Sequence, residues 1–200
     1  MSTSKIQLSA EEMKLVTDSS WILTKHRIID KVYHLFGNLS AQMQLHLQQQ
    51  QHGLPNEVLQ LSPKISKGEQ YESLPYAVLD YPRFFSKENV FAVRCFFWWG
   101  NYFSITLQLK GKFQQQYGEK IALAIAEKKL QDCYLSFSGN EFSFNLAAEN
   151  YFLAEEINKQ FAEEIQQQPF LKISYKVSFA QWDVAEQSLL KAFEQFFSIL

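Results

Sequence analysis

Cysteine, glycine and basic residues are all in short supply in this chain, and each shortage removes a class of function. The two cysteines, Cys95 and Cys133, have no histidine beside them and make no metal-ligand spacing. Both fall inside strand-like apolar patterns, where a reduced thiol serves as a small buried hydrophobe. The seven glycines are spread too thinly for a phosphate-cradling loop, and neither a nucleophile elbow nor a HExxH pattern occurs. Lys and Arg number 19 against 21 Asp and Glu, giving a formal net charge of -2 and a pI of about 6.1. A nucleic-acid partner, which requires a basic footprint, is therefore not expected. No apolar run approaches the roughly eighteen residues of a membrane span. The opening "MSTSKIQLSAEEMK" is polar and carries acids, unlike a secretory or transit peptide. A cytoplasmic protein without a membrane partner is the expectation.

What the chain does have is apolar and aromatic bulk: 46% hydrophobic residues, with 18 Phe, 9 Tyr and 4 Trp. That is enough for a sizeable core in a single α+β domain. Residues 1–9 read as a tail. Ser9 and Glu12 have the spacing of a capping box, and a second helix start lies at Asp18 to Ser20. Ile28, Val32, Leu35, Leu39 and Met43 then recur every three or four positions, which makes one face of a long helix apolar as far as residue 52. Residues 53–74, with Pro75 just beyond them, carry three prolines and two glycines with little periodicity. They read as a long connection, a lid or linker candidate, from which the sheet and covering helices of residues 75–200 follow.

Within that region "PYAVLDY" reads as a strand and "PRFFSKEN" as a turn. Residues 90–99 and 102–110 read as a hairpin closed by Gly100 and Asn101. A two-residue loop would place Trp99 opposite Tyr102 and Phe97 opposite Ser104 on a mixed face. The other face would pair Phe96 with Ile105 and Arg94 with Leu107, apolar except for one guanidinium. A second Gly-Asn pair, Gly139-Asn140, predicts a second hairpin in which Phe137 touches Phe142 and both are buried. Helices are expected over 113–131, 149–168 and 183–198, with a strand over 170–179. The fold class is thus α+β: a mostly antiparallel sheet with helices packed on it, in the order helix, three strands, helix, two strands, helix, strand, helix. Over residues 20 to 166 this order resembles the fold of small homodimeric secretion chaperones, which bind extended segments of other proteins. The resemblance implies a homodimer with a protein-binding face.

The candidate site residues are Arg94, Asp80, Arg83, Phe97, Trp99 and Tyr102. A guanidinium on an apolar sheet face is expensive unless paired. Asp80 is the nearest plausible carboxylate, so Arg94 forms a structural pair with it, snorkels to water at the sheet edge, or clamps an anion together with Arg83. The mixed face of Phe97, Trp99 and Tyr102 is either covered by a helix or exposed as an interface. His26, Asp30 and His34 share a helical stripe. The two His are about 12 Å apart at 1.5 Å rise per residue, too far for one ion. No cofactor, no metal and no clustered acid or base for catalysis emerge. The functional expectation is a non-enzymatic protein-interaction or chaperone-like module acting through an aromatic sheet face. The alternative is a small-molecule binding protein for an apolar or anionic ligand in an aromatic pocket.

Overall fold

The computed structural model describes residues 6–49, 53–137, 139–157 and 167–200. The described chain is α+β, a seven-stranded antiparallel sheet with helices packed on it. Helix α1 (Ala10–Thr17) begins with the capping box: the Ser9 hydroxyl accepts from the Glu12 N–H, and the Glu12 carboxylate accepts from the Ser9 N–H. Helix α2 (Ser19–Gln49) buries Ile29, Val32, Phe36, Leu39, Met43 and Leu47, one residue in every three or four. Next come α3 (Asn56–Leu59), the strands β1 (Lys64–Tyr71), β2 (Leu74–Phe85), β3 (Val90–Trp98) and β4 (Tyr102–Lys110), and helix α4 (Lys112–Ala126). Strands β5 (Cys133–Ser136), β6 (Phe152–Leu153) and β7 (Leu171–Ser178) complete the sheet, and α5 (Ala185–Ser198) ends the described chain.

The spatial order is β1-β2-β3-β4-β7-β5-β6. Four strands form a meander, and β7 enters between β4 and β5. The strand that the sequence places as a terminal addition is therefore an interior one. Helices α2, α4 and α5 cover one face, and their apolar stripes meet Leu79, Phe91, Val93, Cys95, Phe97, Phe103, Ile105 and Leu107 in one continuous core. Among the described residues, the other face is covered in part, by residues 139–151, a strap of turns that lays Phe144, Leu146 and Tyr151 against Val78, Phe96, Trp98 and Tyr102.

Several local expectations are corrected. The connection over 53–74 is neither lid nor linker, because it holds α3 and the edge strand β1, which pairs with β2 from Lys64 to Tyr71. Its alternation was blurred because an edge strand over a half-covered face buries little. "PRFF" continues β2 rather than turning, and its pairing with β3 shifts between Asp80 and Arg83. The hairpin between β3 and β4 closes through three residues, Trp99 to Asn101, with the Asn101 N–H donating to the Trp98 carbonyl at 3.0 Å and Gly100 at φ 74. Trp98 therefore faces Tyr102, Phe97 faces Phe103 and Arg94 faces Thr106. One residue of slip exchanges every partner between faces. The uniformly apolar face is that of Phe97 and Phe103, and Arg94 lies on the mixed one.

The Gly139-Asn140 hairpin does not form. Tyr134 and Leu135 pair with Leu153 and Phe152 instead. Phe137 is buried and stacks on Phe152 at 5.6 Å, whereas Phe142 is 72% exposed. Of the helix expected over 149–168, residues 152–156 are β6 and a 3-10 turn, and residues 158–166 lie outside the described chain.

Candidate functional site

The strap-covered face is built from polar residues in register. Lys64, Asp80, Arg94, Thr106, Ser174 and Tyr134 form one row across six strands, each paired with the next. The row beside it holds Arg83, Ala92, Gln108, Lys172 and Ser136. In a regular strand Asp80 and Arg83, three residues apart, would point to opposite sides of the sheet. The extra residue on β2 between them absorbs one step, so both meet partners on the strap side.

Arg94 donates to Asp80 through both arms, Nε to Oδ1 at 2.7 Å and an Nη to Oδ2 at 3.0 Å. The carboxylate is nearly buried and the guanidinium about a quarter exposed. This bidentate fork accounts for the charge on the sheet without snorkelling, and it leaves the outer Nη donors of Arg94 directed elsewhere than Asp80. Arg83 donates from Nε to the Ser62 carbonyl at 3.2 Å. Between these groups and the strap opens a cleft of about 550 Å³, lined by Lys64, Asp80, Arg83, Lys87, Arg94, Lys110 and Glu141, with Phe85, Val90, Phe142 and Phe144 as its apolar wall. Lys110 and Glu141 pair at 2.9 Å across its mouth. Among the described residues five cationic side chains thus meet two carboxylates.

Lys172 lies under the strap with no exposed surface. Its Nζ donates to the Ser143 carbonyl and sits 3.9 Å from the centroid of the Phe144 ring, which also receives Arg94 at 4.9 Å. Burial pushes the Lys172 amine down to about 7, the Arg94 charge pushes the same way, and Glu141 opposes them. Nothing in "FLKISYKVSF" announces this. Lys172, Ser174 and Lys176 alternate with apolar residues like any half-solvated strand, and the aperiodic strap that buries Lys172 has no pattern to read.

The remaining candidates are divided. Phe97 is core: it packs on Phe103, Phe179 and Trp182, beneath the 3-10 segment Phe179–Val184. Trp99 is partly buried at the edge of that cluster. Tyr102 lies on the opposite face, where its hydroxyl donates to the Phe144 carbonyl at 3.1 Å and accepts from the Leu146 N–H at 2.8 Å; burial pushes it up to about 12. Asp80, Arg83 and Arg94 come together at the cleft, but the three aromatics do not join them. Among the described residues no group of three or more His, Cys, Asp or Glu could hold a metal ion. Cys95 and Cys133 are buried free thiols, with burial pushing Cys133 up to about 12. None of the described helices is long and apolar enough to cross a membrane. Comparison with known proteins finds no family model, no curated protein and no solved structure that matches this chain.

Proposed function

We propose that this is a non-enzymatic small-molecule binding protein whose cleft takes an anionic ligand with an apolar tail, such as a medium-chain carboxylate. The observation that carries the reading is the excess of cations over carboxylates around a cleft with a phenylalanine wall. Arg94 is held in place by Asp80 and so offers its outer donors in a fixed orientation, while Lys64 and Lys87 supply charge at the rim. Phe85 and Phe142, 46% and 72% exposed, offer the tail apolar surface that water otherwise covers. The aromatic sheet face that would serve a chaperone-like module is under helices or under the strap, which moves the balance to a small ligand.

Calorimetric titration with octanoate and with octylamine tests this. Octanoate should bind saturably and more weakly as salt rises, and octylamine should not bind. Arg83→Met should weaken octanoate roughly tenfold, since a charge-assisted hydrogen bond contributes about 1.5 kcal/mol or more. Equal binding of both amphiphiles, or of neither, removes the reading.

A second reading, self-association, is favoured by the N-terminal arm. Helix α1 buries no residue, yet it and the start of α2 expose Met13, Leu15, Val16, Trp21 and Leu23. Sedimentation at micromolar concentration should give twice the 23.4 kDa chain mass if this patch joins two copies, and Val16→Glu should return the monomer.

A further inference from the structure

Two of the polar side chains on the strap side of β4 are engaged by their neighbours. The Thr106 and Ser174 hydroxyls share a hydrogen bond at 2.8 Å, and Lys110 donates to both oxygens of Glu141 at 2.9 and 3.2 Å. Gln108, which lies between them, is different. It is 8% exposed and lines the cleft, yet among the described residues its carboxamide has no hydrogen-bond partner. Lys172, opposite it on β7, is turned to the Ser143 carbonyl. Ala92, opposite it on β3, offers only a methyl group. A buried amide is ordinarily paired, because its desolvation is costly when nothing replaces the lost contacts with water. An unpaired one beside a cleft is placed to be completed by what the cleft holds.

We propose that Gln108 recognises a hydroxyl near the head of the ligand, so that the cleft takes a hydroxy acid. Its carboxylate lies on Arg94, a hydroxyl on the second or third carbon meets Gln108, and the apolar tail runs along Phe85 and Phe142. The inference rests on the anion-binding reading of the cleft and narrows its ligand class. It follows from the balance of donors and acceptors. The cationic groups around the cleft only donate. The two carboxylates already accept, Asp80 from Arg94 and Glu141 from Lys110. Among the described residues lining the cleft, the Gln108 Oε1 is thus the acceptor that stays open in a donor-rich site, and the Nε2 beside it donates. A carboxylate alone can take the Nε2 donor but leaves Oε1 bare. A hydroxyl satisfies the acceptor with its proton and the donor with its lone pairs. The register supplies the spacing: Arg94 faces Thr106, and Gln108 is two residues further on the same side of β4. Such diagonal positions lie about 7 to 8 Å apart, within joint reach of long side chains. On the other flank Ala92 separates Gln108 from Arg83 by two strand spacings, roughly 9 to 10 Å, and keeps the trough between them free of a third long side chain.

Calorimetric titration of the unmodified chain with octanoate and with its 2-hydroxy, 3-hydroxy and 8-hydroxy derivatives tests this. A hydroxyl makes the ligand more polar, so apolar burial alone predicts weaker binding of all three. Recognition by Gln108 predicts that the 2- or 3-hydroxy acid binds roughly two- to tenfold tighter than octanoate, the range a neutral hydrogen bond supplies, and that the 8-hydroxy acid binds more weakly. In heteronuclear NMR spectra the side-chain amide signals of Gln108 should shift further with the favoured hydroxy acid than with octanoate. Gln108→Met, close in shape, should keep octanoate binding and abolish the preference. Octanoate binding at least as tightly as both near-head hydroxy acids overturns the inference and leaves the anion cleft standing. A preference that brings no shift at Gln108, or that survives Gln108→Met, overturns it as well. Absence of binding by all four acids removes the cleft reading and the inference with it. The titrations and the spectra use the unmodified sequence, so they decide the matter even where the variant does not fold.

Discussion

The two faces of the sheet are covered by different kinds of chain, and the contrast explains why one is structural and the other offers a site. On the helix side, Phe91, Val93, Cys95 and Phe97 alternate along β3 with Phe103, Ile105, Leu107 and Leu109 opposite them. Three amphipathic helices seal this surface, and each brings a periodic apolar stripe. Close packing of that sort fills the space between helices and sheet, and the cleft of about 600 Å³ on this side lies at its border, beside α5, lined by Asp132, Tyr175, Lys191 and Glu194. On the strap side the same strands carry a gradient. Val78, Phe96, Trp98 and Tyr102 form an aromatic end under Phe144 and Leu146, and Arg94, Gln108, Lys110 and Lys172 form a charged end that the strap only partly roofs. A helix covers by burying a periodic stripe, whereas the strap covers by three apolar side chains, Phe144, Leu146 and Tyr151, and a few side-chain hydrogen bonds. The strap leaves Arg94 and Lys110 beside its cleft.

Truncation on the helix side should break the contrast most severely. Phe97→Ala removes a buried ring from between Phe103, Phe179 and Trp182 and should cost about 3 to 5 kcal/mol in urea unfolding, with no local effect separable from global loss. A smaller penalty would mean that the segment over 179–184 can collapse into the gap.

The charged end is expected to respond next. Asp80→Asn leaves the Arg94 guanidinium without its counter-ion in a site about three-quarters shielded from water, and should cost about 2 kcal/mol. In a double-mutant cycle with Arg94→Met the coupling should be about 1 to 2 kcal/mol. A coupling near zero would reassign Arg94 from a positioned anion seat to a mobile surface charge.

Lys172 sets a rise of stability with pH, opposite in sign to the effect of the buried thiols on the helix side. Its amine is pushed down to about 7 in the folded chain but titrates near about 10.4 when unfolded, so between these values the unfolded state binds more protons. Stability should therefore rise with pH through this window, by up to about 1.4 kcal/mol per unit for this one group. Above about pH 8.5 the trend should reverse, because burial holds Cys95 and Cys133, and from about pH 10 also Tyr102 and Tyr151, protonated in the folded chain while the unfolded chain ionises. Lys172→Met should flatten the rise and leave the high-pH fall unchanged. A rise that survives the substitution would assign the effect to another group.

The smallest effect sharpens the idea of a separable strap. Glu141→Gln breaks a pair whose side chains are each about a fifth to a quarter exposed, and should cost about 1 kcal/mol or less globally. Hydrogen exchange at Ser143, Phe144 and Leu146 should nevertheless quicken while the amides of β3 and β4 keep their protection. Equal quickening in the strands would mean that strap and sheet open as one unit.

By itself the sequence determined what depends on near neighbours along the chain. The capping box at Ser9 and Glu12, the apolar stripe of α2, strands β3, β4 and β7, and the terminal helix all follow from contacts within three or four positions or from strict alternation. The α+β class follows from their order. The pairing of Asp80 with Arg94 was within reach for the same reason, since consecutive strands of a meander bring them side by side. Tertiary structure alone decided the rest. Whether the first Gly-Asn pair closes a loop of two residues or three differs by one position in the chain, yet it exchanges the faces that Arg94 and Phe97 share with β4. A bulge in β2 turned Arg83 to the same side as Asp80. The second Gly-Asn pair became part of a strap because Cys133 to Ser136 had better partners in β7, a strand some forty residues further on. The burial of Lys172 depended on that choice, for a lysine on an alternating strand is solvated or sealed according to what crosses over it, and the chain that crosses here carries no periodicity to announce itself.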